Sequence, residues 1–150
     1  MSRGSPVITD SDNIREKRLA LYRDDLEPIG SILKEFVSLS DATCTLLIDK
    51  DGYMVTHAGD LADIDMQGVA TLVAGSFATA RIMARLLGEN EFCVLFHEGK
   101  KGNIQINIVG NLCFLATAFD QRTTAGMVRL YAKEAADKLL EIFESKVISK

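Results

Sequence analysis

The chain has 150 residues, of which 47% are hydrophobic, 25% charged and 7% aromatic, as in an ordinary soluble globular domain. The net charge of −4 argues against a nucleic-acid partner, because nucleic-acid binders need a clustered positive surface. Cys44, Cys93 and Cys113 are widely spaced, form no zinc motif and are predicted to be reduced thiols buried in the core. One hydrophobic core can support a chain of this length without disulfide bonds.

The polar start of the chain predicts a flexible N-terminal leader over residues 1–18, followed by a single domain over residues 19–150. The leader lacks the apolar segment of a signal peptide. The longest apolar stretch without a charge, residues 66–80, is shorter than the roughly 20 residues that span a bilayer. We therefore expect a cytoplasmic protein without membrane insertion.

Apolar residues spaced by three and four predict a first helix from Leu21 to Leu39, disturbed at Pro28. Two extended runs at 42–48 and 53–58 flank Asp49-Lys50-Asp51-Gly52 and predict a hairpin, whose glycine supplies a positive φ. The same tetrapeptide does not fit a calcium loop, since Gly52 falls at the fourth position instead of the sixth.

Asp63 or Asp65 is predicted to cap a second helix that ends at Leu87, with Gly88 as its terminator. Three strands follow at 92–97, 104–109 and 112–119, and their short connections predict an antiparallel meander. Apolar residues on both faces of the first and third of these strands predict cover on both sides.

A third helix is predicted to start at Thr123 or Thr124 and to reach about Lys146. Its predicted buried stripe consists of Met127, Leu130, Tyr131, Ala135, Leu139, Ile142 and Phe143. The element order α-β-β-α-β-β-β-α predicts a three-layer α+β domain with a five-stranded antiparallel sheet.

No motif for catalysis is present. The segment 99–102 has neither the spacing of a phosphate-binding loop nor a following helix, so it is predicted to be a hairpin tip. His57 and His97 lie on different predicted strands, without a nucleophile placed by any motif. We expect no catalytic residues, no cofactor and no metal site.

The second helix is apolar or small almost all the way round. Its predicted sheet-facing stripe is Val69, Val73, Phe77, Ala80, Ala84 and Leu87. Further apolar side chains lie on its flanks, namely Met66, Leu72, Ile82, Met83 and Leu86. Because one subunit offers too little surface to cover them all, we expect a second copy of the chain to do so.

A last stripe of the second helix has small side chains in its middle and arginines at one end. It consists of Gln67, Thr71, Ala74, Ala78, Arg81 and Arg85. Small residues allow a partner to approach closely, and arginines supply charge-assisted contacts. The alternative is an ordinary solvated face in which alanine serves helix propensity.

The element order and several local motifs resemble the Roadblock/LC7 family, which has a profilin-like fold. The motifs are Leu47-Ile48-Asp49-Lys50-Asp51-Gly52, Leu72-Val73-Ala74-Gly75, Gly88-Glu89-Asn90-Glu91-Phe92, Phe96-His97-Glu98-Gly99, Ile108-Val109-Gly110, Phe119-Asp120-Gln121-Arg122-Thr123 and Gly126-Met127-Val128-Arg129-Leu130. The later motifs are similar to the members of this family that act in bacterial gliding motility.

The resemblance implies a non-catalytic, homodimeric regulator that binds a Ras-like small GTPase of the MglA type and stimulates its GTP hydrolysis, with a role in cell polarity and gliding motility. It also implies that the central helices of two protomers form the platform for the GTPase, and that the third strands pair to continue the sheet across the dimer. Carried onto this sequence, the partner-binding residues are Thr71, Ala74, Ala78, Arg81 and Arg85, with the loop 60–64 as a rim.

Three alternatives remain open at this point. A scaffold of the same family would tether a GTPase or a motor component without changing its rate. A small-molecule sensor would use the sheet and helices as a pocket. Within the leading hypothesis, Arg81 or Arg85 would act as an inserted catalytic arginine, whereas the family resemblance implies activation by reshaping the GTPase.

Overall fold

The computed structural model describes residues 26–62, 64–90 and 92–148. The helices are α1 (Leu26–Ser40), α2 (Met66–Leu86) and α3 (Ala125–Ile148), and the strands are β1 (Cys44–Asp49), β2 (Met54–Gly59), β3 (Val94–Glu98), β4 (Asn103–Val109) and β5 (Cys113–Phe119). The predicted order of elements is confirmed. The predicted leader and the part of the first helix before Leu26 lie outside the described residues.

The helix boundaries follow local capping chemistry. Pro28 lies in the first turn of α1, where its missing N–H costs no hydrogen bond within the helix. Asp65 caps α2 by accepting a hydrogen bond from the Gly68 amide at 3.0 Å, and Thr124 caps α3 through the Met127 amide at 3.2 Å. Gly88 terminates α2 with a φ of 83°, as predicted.

The five strands form one antiparallel sheet in the order β2-β1-β5-β4-β3. The hairpin and the meander are confirmed, and β1 joins them by pairing with β5. Strand β3 is an edge strand on which Phe96, His97 and Glu98 are exposed. The predicted cover on both faces of the sheet is confirmed, but it is only partial at β3, where Val94 and Leu95 are half-buried.

The sheet separates two hydrophobic cores, which makes the domain three-layered. On one face, α1 and α3 pack against a core whose largest fully buried members include Ile29, Leu33, Leu47, Leu115 and Leu139. On the other face, α2 packs against Leu46, Ile48, Ile106, Phe114 and Ala116. Alternation along each strand sends neighbouring residues into different cores.

Two packing details differ from the sequence-based expectations. In α3, Met127 and Leu130 are exposed, while Val128 and Ala132 are fully buried. In the first turns of α3 the smaller side chains face the sheet, whereas Leu139 and Phe143 fill the core further along the helix. Cys44 and Cys113 are buried as predicted, whereas Cys93, just before the edge strand, is exposed.

A row of polar side chains is buried on the sheet face that α1 and α3 cover. Thr45 and Thr117, on paired positions of β1 and β5, place their hydroxyl oxygens 3.0 Å apart. On β4, the Gln105 side-chain amide donates to Asn107 Oδ1 at 2.9 Å. The two hydroxyl groups thus pair with each other, as do the two side-chain amide groups, and this pairing offsets the cost of burying them.

We expect the close contact at Gly59 to make this position intolerant of any side chain. Gly59 has a φ of 94°, and a Cβ there would lie 2.7 Å from Cys44 Cα on the paired strand. Gly59→Ala should lower the free energy of unfolding by at least about 2 kcal/mol, measured by urea denaturation.

Gly30→Ala is the matched control, since a Cβ at this position of α1 meets nothing within 4 Å. It should raise the free energy of unfolding by roughly 0.5–1 kcal/mol through helix propensity. Equal effects of the two substitutions would contradict the packing described at Gly59.

Candidate functional site

Helix α2 rests on the sheet through a narrow stripe of side chains. Its buried residues are Ala70, Val73, Phe77, Ala80 and Ala84. The Phe77 ring stacks on Phe114 of β5 with ring centroids 4.6 Å apart. Four of the residues predicted for this stripe are confirmed, but Val69 is only half-buried and Leu87 lies past the helix end with 73% of its surface exposed.

The predicted partner-binding residues lie together on one side of α2. Thr71, Ala78, Arg81 and Arg85 are exposed and Ala74 is half-buried. At 3.6 residues per turn these positions fall within about 80° of one another around the axis, and at 1.5 Å per residue they extend over about 21 Å. We call this set, Thr71, Ala74, Ala78, Arg81 and Arg85, the basic flank.

The turn between β1 and β2 lies beside the N-terminal part of the basic flank. The side-chain amide of Gln67 donates to the Gly52 carbonyl oxygen at 2.9 Å. Gly52 lies so close to the helix that a Cβ on it would be 3.2 Å from Thr71 Cα and 3.4 Å from Ala74 Cβ. The flank is thus divided into a part beside this turn and a C-terminal part formed by Ala78, Arg81 and Arg85.

Large apolar side chains cover a different side of the same helix. Leu72, Met83 and Leu86 are 72%, 51% and 83% exposed, and we call these three residues the apolar flank. They lie roughly 80 to 140° around the helix axis from Ala78. Ile82, which is 61% exposed, lies between the two flanks. Among the described residues, α2 carries apolar surface that the rest of the domain leaves exposed, in agreement with the prediction.

Within the described residues, α2 is also a helix that is long and apolar enough to cross a membrane by length and composition. Its stripe centred on Val73 and Phe77 nevertheless forms the core of one sheet face. Removing the helix from the sheet would expose that core to water.

The titratable side chains are dispersed in the described part of the chain, where no three His, Cys, Asp or Glu residues could hold a metal ion. His57 and His97 are exposed on β2 and β3, which form opposite edges of the sheet. Burial raises the pKa of the Cys44 thiol, which disfavours its nucleophilic thiolate form.

Two cavities bear on the small-molecule alternative. A gap of about 10 Å³ between α1 and α3 has room for about one water molecule. A cleft of about 900 Å³ lies between the β3–β4 hairpin and the loop before α2, with Ile64 and Ile104 in its lining. This cleft is open to solvent, and neither flank of α2 lines it.

Residues 28–119 match the Roadblock/LC7 domain. No protein with a curated description matches the sequence.

Several solved structures are similar over most of the chain. Myxococcus xanthus MglB is 40% identical, with a TM-score of 0.75, and the match covers 79% of this chain and 96% of that one. The gliding protein MglB from Thermus thermophilus is 31% identical, with a TM-score of 0.75 and coverage of 79% and 90%. A further structure described as MglB with a tetrameric arrangement is 31% identical, with a TM-score of 0.76 and the same coverage.

Proposed function

This chain belongs to the Roadblock/LC7 family, and we propose that it is a homodimeric, non-catalytic regulator that binds a Ras-like small GTPase of the MglA type and stimulates its GTP hydrolysis. We further propose that it acts in the cytoplasm, in cell polarity and gliding motility. Similarity to proteins named MglB, one of them described as a gliding protein, supports this assignment.

A second copy of the chain covers the apolar flank in this proposal. Fully burying a large apolar side chain contributes about 1.5–3 kcal/mol, so Leu72, Met83 and Leu86 supply a substantial part of the association energy. Strand β3 lies at a sheet edge and its backbone can pair with β3 of the second copy, which would continue the sheet across the dimer. The relative described as tetrameric supports self-association of this kind of chain.

The observation that carries GTPase binding is the exposure of Ala78, Arg81 and Arg85 on one side of a helix whose apolar flank points elsewhere. The same helix can therefore contact a second copy and a GTPase at once. Ala78 allows a close approach, and the arginines supply charge-assisted hydrogen bonds around it.

Stimulation needs no group from this chain in the reaction itself. A regulator that binds the hydrolysis-competent conformation of the GTPase more tightly than the other conformations raises the population of that conformation. The rate of hydrolysis then increases in proportion, up to full population of the competent state. The C-terminal part of the basic flank is the surface that makes this selective contact.

Leu86→Asp tests the self-association surface. A buried carboxylate at the dimer contact is costly, so we expect light scattering to report the mass of one chain instead of two. Leu130→Asp is the control, since Leu130 is exposed on α3, on the other side of the sheet, and its substitution should leave the mass unchanged. A monomeric mass for the unmodified protein would contradict the proposed dimer.

Ala78→Arg tests the GTPase-docking surface. An arginine side chain would prevent close approach at the centre of the contact, and we expect stimulation of single-turnover GTP hydrolysis to fall about 30-fold or more. Light scattering should show an unchanged dimer. Ser38→Arg places the same side chain at an exposed position of α1 and should leave stimulation intact.

The same assay separates the regulator from a scaffold. If the GTPase binds the unmodified protein and its hydrolysis rate stays the same, the scaffold hypothesis replaces the proposed one. If stimulation by the Ala78→Arg protein equals that of the unmodified protein, the proposed docking surface is wrong.

A further inference from the structure

We propose that the cleft between the β3–β4 hairpin and the loop before α2 receives the C-terminal end of α2 from a second copy of the chain, with Leu87 of that copy against its apolar lining. This inference rests on the proposed function, because it gives the homodimer a contact besides the paired β3 strands and the apolar flank. It assigns a role to the cleft and to Leu87, neither of which belongs to a flank of α2.

Helix α2 runs across the sheet towards the β3 edge. Its Thr71 lies beside Gly52 of the β1–β2 turn. Further along the helix, the Phe77 ring stacks on Phe114 of β5. Leu87 is ten residues beyond Phe77, about 15 Å along the axis, whereas β3 is two strands from β5, or about 10 Å. The end of α2 therefore reaches the sheet edge, where 73% of the Leu87 surface is exposed.

The end of α2 and the cleft are associated with opposite ends of β3. Residues 88–93 connect the helix end to Val94, the first residue of β3, and Leu95 packs against the core beneath α2. Near the last residue of the strand, His97 pairs with Ile104 of β4, and both residues line the cleft. One chain thus carries the helix end at the start of its edge strand and the cleft at the finish.

The cleft opens on the sheet face that α2 covers. Ile104 packs against the core beneath α2, and Ile64 belongs to the loop that leads into the helix. Together with Ala118 of β5, these half-buried side chains are the apolar lining of the cleft. Ionisable side chains of both kinds surround it, namely His97, Glu98, Lys101 and Asp120. Because acidic and basic groups offset each other there, the apolar lining favours an apolar side chain as the occupant.

Pairing of two β3 edges brings the helix end and the cleft together. When two identical strands pair in antiparallel directions about a two-fold axis, the start of each strand lies beside the end of the other, and the axis is perpendicular to the sheet. Both α2 helices then lie on the same side of the continuous sheet. The helix end of each copy is therefore directed to the cleft of the other, and the dimer contains this contact twice.

The contact also bears on the docking surface. Arg85 of the basic flank lies two residues before Leu87. Seating Leu87 in the cleft of the second copy holds the end of the helix that presents Arg85. A side chain held in this way loses less conformational freedom when the GTPase binds.

Cysteine cross-linking tests the contact in the full-length chain with Cys93→Ser, which removes the exposed thiol. Chains with Leu87→Cys and differently tagged chains with Ile104→Cys are mixed, oxidised and separated by non-reducing electrophoresis. We expect a covalent dimer that contains one chain of each kind. Ser38→Cys replaces Ile104→Cys in the matched control and should give no such dimer, since Ser38 is exposed on α1, on the other side of the sheet.

Leu87→Asp provides a second measurement. Because Leu87 is exposed in the single chain, its substitution should leave the circular dichroism spectrum unchanged. We expect the Kd of the dimer to rise at least about 100-fold in analytical ultracentrifugation, since both copies of the contact lose an apolar side chain. Leu130→Asp, at an exposed position of α3, should leave this Kd unaltered.

The outcomes also distinguish this inference from the proposed function. A dimer that forms without the cross-link between positions 87 and 104, or that tolerates Leu87→Asp, would overturn the role of the cleft and leave the homodimer standing. Cross-linking without stimulation of GTP hydrolysis would overturn the regulator assignment and support the cleft contact. A monomeric mass for the unmodified protein would overturn both.

Discussion

The fold and its exposed surfaces both depend on helix α2, which packs against the sheet on one side and is exposed on its other sides. Helix α2 touches the sheet through a stripe of mostly small residues around the Phe77–Phe114 stack. Small side chains bring the helix close to the sheet, but they occupy only one side of the helix. The remaining surface carries leucine and methionine on one flank and alanine and arginine on the other. A single element can therefore belong to the core and present two chemically different contact surfaces.

The two flanks suit different kinds of association. Large exposed apolar side chains such as Leu86 favour a permanent contact, because exposing them to water is unfavourable whenever the partner dissociates. The basic flank combines small residues with charges, which favours a partner that binds and leaves. This division is consistent with a stable homodimer that presents a reversible docking surface to a nucleotide-dependent partner.

The β1–β2 turn shows how the rest of the fold supports that surface. Asp49 organises the turn from a buried position, and Gly52 lets it lie on the helix next to the N-terminal part of the basic flank. The turn and the helix are thereby held in one fixed arrangement. A partner that contacts both the turn and the helix binds a preformed surface. Its affinity is not lowered by the entropy cost of ordering a loop.

Local patterns in the sequence determined the helices and strands, the helix caps and the excess of apolar side chains on α2. They could do so because helix periodicity, capping residues and turn glycines act over a few neighbouring positions. They also placed Thr71, Ala74, Ala78, Arg81 and Arg85 on one side of the helix. Only the tertiary structure decided that β1 lies between β2 and β5 and that β3 is an exposed edge. It also decided that Met127 and Leu130 turn outward and that Gly52 lies against the basic flank. Those features depend on contacts between residues far apart in the chain. The spacing of side chains within one element carries no information about which distant element will cover it.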